Sequence, residues 1–127
     1  MKKMIIPLAA AAFLLSGCSK YSSDYDAVGF VHNDLSDEAY MDFYKFDGHI
    51  VFDLDGSEGS RLEYSGKLEK GSITVSIDSD GRKKELFSLS DSSEVTSSLD
   101  LPQTDTVYLI VETSGSCENG DIHFNIR

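Results

Sequence analysis

The chain has no tryptophan and only two prolines and two cysteines in its 127 residues. Two thiols form at most one bridge, which excludes the dense disulfide framework that holds many small exported domains. Basic residues are scarce as well: 11 Lys and Arg stand against 22 Asp and Glu, a net charge of −11. A surface this acidic repels phosphodiester backbones and anionic headgroups, so nucleic acid is excluded as a partner. Long apolar runs are missing too. None reaches the ~20 residues that a spanning helix needs, and beyond residue 17 no stretch carries a sustained apolar period of ~3.6 residues.

The amino terminus does contain a shorter apolar run. Met1-Lys2-Lys3 lead into Met4 to Leu15, and the sequence Leu15-Ser16-Gly17-Cys18 closes it. A positive start, an apolar core and small residues come in the order of a secretory signal. The four closing residues resemble the lipobox of bacterial lipoproteins, in which an aliphatic residue and two small residues precede an invariant cysteine. The resemblance implies a diacylglyceryl group on the Cys18 thiol and cleavage between Gly17 and Cys18. It also implies a mature protein anchored by lipid outside the cytoplasm, on the cell membrane or the outer membrane. Ser19 and Lys20 follow, with no Asp directly after Cys18, which in a Gram-negative host permits outer-membrane sorting. Each buried CH₂ contributes about 0.8 kcal/mol and one acyl chain is marginal, so two or three on one cysteine make a stable anchor.

The expected organisation is a signal peptide over 1–17, a lipidated cysteine and tether over 18–37, and one domain over 38–127. Lys2 and Lys3 leave with the signal, so nine basic residues face 22 acids in the mature part, a net −13. From Ser19 to Asp37 the chain is rich in Ser, Asp, Asn and Tyr. As a flexible tether it would span roughly 20–25 Å; Val28, Phe30 and Val31 offer an edge strand as the alternative. Once Cys18 carries lipid, Cys117 has no intramolecular partner. It lies in the turn-like run Ser114 to Gly120 beside Glu118 and reads as an unreactive loop thiol, its pKa raised by the neighbouring acid; an intermolecular disulfide is the alternative.

From Tyr40 onward short apolar runs alternate with turn residues. Tyr40 to Phe46 and His49 to Leu54 flank Asp47-Gly48, a strong two-residue hairpin signal. Leu62 to Leu68, Ser72 to Asp78, Lys84 to Leu89 and Glu94 to Leu101 follow, the last ended by Pro102. Thr106 to Glu112 is apolar on both parities, as in a central strand. Asp121 to Arg127 sets Ile122, Phe124 and Ile126 on one face and His123, Asn125 and Arg127 on the other. The pattern predicts an all-β, jelly-roll-like antiparallel β-sandwich of about eight strands. The stretches YKFDGHIVFDL, KLEKGSITVSIDSDGRKKELF and GDIHFNIR resemble the β-sandwich domains of small surface lipoproteins, which implies the same fold.

Candidate chemistry is thin. Asp53-Leu54-Asp55-Gly56-Ser57-Glu58 concentrates oxygen ligands, but an EF-hand needs Gly where Glu58 stands and Glu where Tyr64 stands; turn acids are the expected role. His32, His49 and His123 lack the short spacing of a zinc site. There is no Gly-x-Ser-x-Gly elbow and no His-Glu-x-x-His, and no cofactor motif. Tyr44, Tyr64 and Tyr108 fall on strands, where a core or sheet-covering role is the expected one; as the alternative they are the candidate sugar-stacking residues. The expected function is a non-enzymatic module on the outer side of a membrane, binding another envelope protein. A carbohydrate or cell-wall ligand is the alternative, and a hydrolase accessory role a further one. Neither the ligand nor the oligomeric state is legible.

Overall fold

The computed structural model describes residues 21–101 and 105–127. The expected signal peptide, the cleavage expected between Gly17 and Cys18, the lipidation expected on Cys18 and the start of the expected tether lie outside them.

Nine strands are described: β1 (Asp24–Val28), β2 (Val31–Asp34), β3 (Glu38–Asp55), β4 (Arg61–Lys70), β5 (Ile73–Asp78), β6 (Lys84–Leu89), β7 (Ser93–Asp100), β8 (Thr106–Thr113) and β9 (Cys117–Ile126). One 3₁₀ turn, Gly56–Glu58, follows β3. All pairings are antiparallel, in the order β6-β5-β8-β3-β9-β4-β7, with β1 and β2 also on β3. The protein is a jelly-roll-like β-sandwich whose two sheets share one bent strand.

That strand is β3, and it corrects the hairpin expected at Asp47-Gly48. Its first half pairs with β9 through Glu38 to Phe46, and its second half pairs with β8 through His49 to Asp55. The two halves do not pair with each other; they pass from one sheet to the other, as corner strands do. Alternation records the crossing. Ala39, Met41 and Phe43 are buried, then the phase slips at Tyr44 and Lys45, and Phe46, Ile50, Phe52 and Leu54 are buried instead. Gly48 carries the bend at φ +133, a region closed to side chains. A Cβ there would fall 2.7 Å from the Tyr25 Cα. The Gly48 amide donates to Thr113 Oγ1 at 2.8 Å, and that hydroxyl donates back to the Gly48 carbonyl at 3.2 Å. The bend brings the ends of β3 together, with the Asp55 amide bonding the Ser36 carbonyl at 2.7 Å.

β1 and β2 correct the tether reading over residues 24–34. They follow β3 in one continuous register, Asp24 opposite His49 and Asp34 opposite Ala39, and break only at Gly29 and Phe30, beside Tyr44. The edge-strand alternative is therefore the arrangement present. Tyr25, Ala27 and Phe30 pack on the core. β8 is central, with Leu109, Ile110 and Val111 all buried, as its two apolar parities predict.

Where the sheet fails to close, between β6 and β7, the core is sealed by packing. Gly66 of β4 leaves room for Phe87 and Leu89 of β6. Cys117 also departs from expectation. It opens β9 opposite Phe46 and is fully buried, its Sγ 3.4 Å from the Ser72 carbonyl oxygen. Burial is the main cause that pushes its thiol pKa up, with the Asp47 and Asp91 charges adding to it. It is a core residue and no loop thiol.

Candidate functional site

The sequence-predicted tyrosines do not share a surface. Tyr44 is half exposed at the corner of β3, with the Lys45 ammonium 5.7 Å from its ring centre. Tyr64 points inward among Leu62, Gly66 and Leu68 and stacks on Phe87 at 5.0 Å with nearly parallel rings. Tyr108 is on the other sheet, edge-on to Tyr21 at 5.4 Å.

The acidic turn has a structural role. Asp55 Oδ1 accepts from the Ser57 amide at 2.9 Å and from the Ser57 hydroxyl at 2.6 Å, capping the 3₁₀ turn. These bonds lower its pKa. Among the described residues no three His, Cys, Asp or Glu side chains converge as a metal would require. Asp53 faces Asp34, whose carboxylate accepts from the Asp53 amide at 3.4 Å. Desolvation, opposed by that bond and aided by the Asp53 charge, pushes the Asp34 pKa up to about 6.

A raised carboxyl pKa means that the folded state favours the protonated form. That contribution to stability is complete below about pH 4 and is lost as pH rises through about 6. Asp34→Asn removes the charge and keeps an acceptor for the Asp53 amide. It is expected to raise the melting temperature at pH 8 by a degree or two, the side chain being largely exposed and the gain about 1 kcal/mol or less after screening. Thermal melts of the two proteins should converge below pH 4. A difference that does not change between pH 4 and pH 8 would refute the assignment.

An ordered array of outward side chains lies on the β2-β3-β9-β4-β7 face. Register stacks it in three rungs. The first runs Val31, Asp42, Asp121, Lys67, Glu94; the second Asn33, Tyr40, His123, Ser65, Thr96; the third Glu38, Asn125, Glu63, Ser98. The middle rung holds a stacked pair, Tyr40 on His123, with centroids 5.6 Å apart and planes within 17°. Beside it Glu63, Tyr64, Ser65, Thr96, Ser97, Ser98, His123 and Asn125 line a shallow depression of about 440 Å³. Hydroxyls, an amide, an imidazole and the Glu63 carboxylate thus lie to one side of the ring pair.

Charge on this face is uneven. Asp42 and Asp121 are direct cross-strand neighbours, a like-charge arrangement that costs stability. Arg127 neutralises Glu63 at 2.9 Å, and Lys67 sits between Asp121 and Glu94. His123 Nε2 lies 3.9 Å from Asp121 Oδ1, beyond hydrogen-bond reach. Strand amides lie in the plane of the sheet and are spent on its ladders, so the face offers no paired N–H groups to hold an oxyanion.

Tyr40 is absent from the sequence-derived candidates, and His123 enters them only as a histidine without zinc-site spacing. Alternation does set His123 on the polar side of the last strand. What brings it to Tyr40 is the pairing of β3 with β9, which no local pattern encodes. His49 is at the bend opposite Asp24 and Glu112, and His32 stacks on Phe30 at 4.8 Å.

No protein-family model matches the chain, and no curated protein sequence matches it. Several solved structures are similar over most of its length. KdgF from Halomonas sp. is 18% identical, covering 82% of this chain and 87% of its own, with a TM-score of 0.35. A mutant of the family 29 carbohydrate-binding module CBM29-2 is 17% identical, covering 83% and 78%, at 0.37. TmCBM61, solved in complex with β-1,4-galactotriose, is 13% identical, covering 82% and 81%, at 0.40. These identities and scores are too low for ligand or chemistry to pass from those proteins to this chain.

Proposed function

We propose that this chain is an exported lipoprotein, held on the outer side of a membrane by acyl chains on Cys18, whose β-sandwich binds a glycan of the cell surface and performs no catalysis. The observation that carries the glycan reading is the Tyr40–His123 stack beside a depression lined by hydroxyl, amide and imidazole groups and by one carboxylate, Glu63, that is paired with Arg127. A sugar ring offers one apolar face of C–H groups and a rim of hydroxyls. The aromatic pair suits the face, and Ser65, Thr96, Ser98 and Asn125 suit the rim. The like-charged neighbours Asp42 and Asp121, with Lys67 as the one lysine beside them, disfavour phosphate- or carboxylate-rich polymers, so the ligand is a neutral glycan.

Titration calorimetry against soluble neutral and anionic oligosaccharides tests this reading. Neutral oligosaccharides should bind, and Tyr40→Ala should weaken them by about tenfold, as loss of one aromatic stack implies. Tyr40 is only partly buried in a sheet that keeps its inward core, so the variant should fold, and circular dichroism checks that. Failure of every neutral oligosaccharide to bind, or an affinity indifferent to Tyr40→Ala, would sink the proposal.

A further inference from the structure

The large apolar side chains exposed among the described residues are Val28, Val31, Leu35 and Tyr44, at 56, 57, 47 and 50% exposure. Val28, Val31 and Tyr44 gather at one place, and Leu35 stands at the far end of β2. Val28 and Val31 flank the break between β1 and β2, Leu35 follows β2 directly, and Tyr44 faces the break from β3. Among the described residues β3 is the only strand paired with β1 and β2. The ends of this edge are pinned by side chains: Ser23 Oγ accepts from the Val51 amide at 2.9 Å, and Asp34 accepts from the Asp53 amide. Between them runs a sheet edge that presents backbone donors and acceptors together with two exposed valines.

Such an edge invites another strand unless charge or shape forbids it. Here charge makes the choice. Asp24, Asp26 and Asp34 lie on the edge itself, Asp26 is directly opposite Asp47, and Val31 is directly opposite Asp42. A second copy would bring the same acids and the same large negative charge, so self-pairing is opposed. An extended segment carrying Lys or Arg would neutralise these acids while its apolar residues covered Val28 and Val31. We infer that the β1–β2 edge is a docking strand for an extended, basic segment of another protein, which joins the sheet beside it by strand addition. This edge borders the glycan face and shares Val31 and Asp42 with its first rung, but the inference does not depend on the glycan reading. The left-handed Gly29, at φ +59, interrupts the edge, so the added segment pairs along β1 or along β2.

The probe is a fluorescent peptide alternating lysine and valine, titrated onto the mature protein at physiological salt and followed by anisotropy. A peptide of equal charge with proline for valine keeps the attraction and cannot supply the ladder bonds. The lysine–valine peptide is expected to bind at least about tenfold more tightly than the lysine–proline peptide. Val31→Lys should abolish that margin, and Ser88→Lys, exposed on β6 at one end of the strand order, should preserve it. Amide shifts on binding should concentrate in residues 24–34. Equal affinity for the two peptides, equal affinity for a glutamate–valine peptide, or shifts centred elsewhere would overturn the inference. So would a dimer of the unliganded protein that Val31→Lys dissolves, because the edge would then serve a second copy.

Discussion

Replacing Phe46 with alanine is expected to lower the unfolding free energy by about 3–5 kcal/mol, the range for a large aromatic removed from a packed core. Phe46 is fully buried and sits where the phase of β3 changes. Its ring stacks on Tyr25 at 5.0 Å and meets Phe30 at 5.4 Å and Phe43 at 5.5 Å. Its backbone pairs with Ala27 on one side and Cys117 on the other. The cavity left by alanine would therefore open at the junction of β1, β3 and β9, where little can collapse to fill it. A domain of this size holds on the order of 5–15 kcal/mol in all, so the variant would be partly unfolded at modest urea concentration. Phe46→Leu, which keeps most of the volume, should cost about half as much or less. Urea titration followed by circular dichroism gives both values. A Phe46→Ala loss below about 1 kcal/mol would mean that the corner is not packed as described.

The second large effect concerns anchoring. Cys18→Ala removes the only thiol within the proposed cleavage motif, and with it the acyl chains. A single chain binds a bilayer only marginally, and each further buried CH₂ adds about 0.8 kcal/mol, so the difference between acylated and unacylated protein spans many orders of magnitude in partition. In cells fed a labelled fatty acid, the parent protein should take up label and run at the mature size. The variant should take up none and keep its 17-residue leader. Size matters in this readout because an uncut leader can hold a protein at the membrane without lipid. Label on the Cys18→Ala protein, or normal processing of it, would end the lipoprotein proposal.

Much of the fold could be read locally. Ile73, Val75 and Ile77 alternate as half-buried strands do, and they are buried in β5. The run Val107 to Val111 is apolar on both parities and forms the central β8. The misreadings share one cause. Asp47-Gly48 reports that the backbone bends, and it does; whether the arms then pair with each other depends on β8 and β9, which lie more than 50 residues further along. Residues 24–34 resemble a tether because an edge strand buries one side only and leaves its acids in water. Cys117 resembles a loop thiol because Ser114-Gly115-Ser116 precede it and Asn119-Gly120 follow, yet Asn119 takes a positive φ within β9 and the strand runs on through it. The Tyr40–His123 face is the most non-local feature of all. Each member shows its polar side in the sequence, but their contact is a property of strand order.

That strand order also has a consequence for when the domain can form. β3 and β4 follow one another in the chain, yet they are not neighbours: β9, which comes after all the other described strands, lies between them. Until Cys117–Ile126 is present, β3 and β4 each lack the partner on that side, and Met41, Leu62 and Leu68 have no Ile122 or Phe124 to close over them. The sheet cannot be zipped from the amino terminus as the chain emerges, so folding waits for β9. Under the export proposed above, this delay keeps the chain unfolded while it crosses.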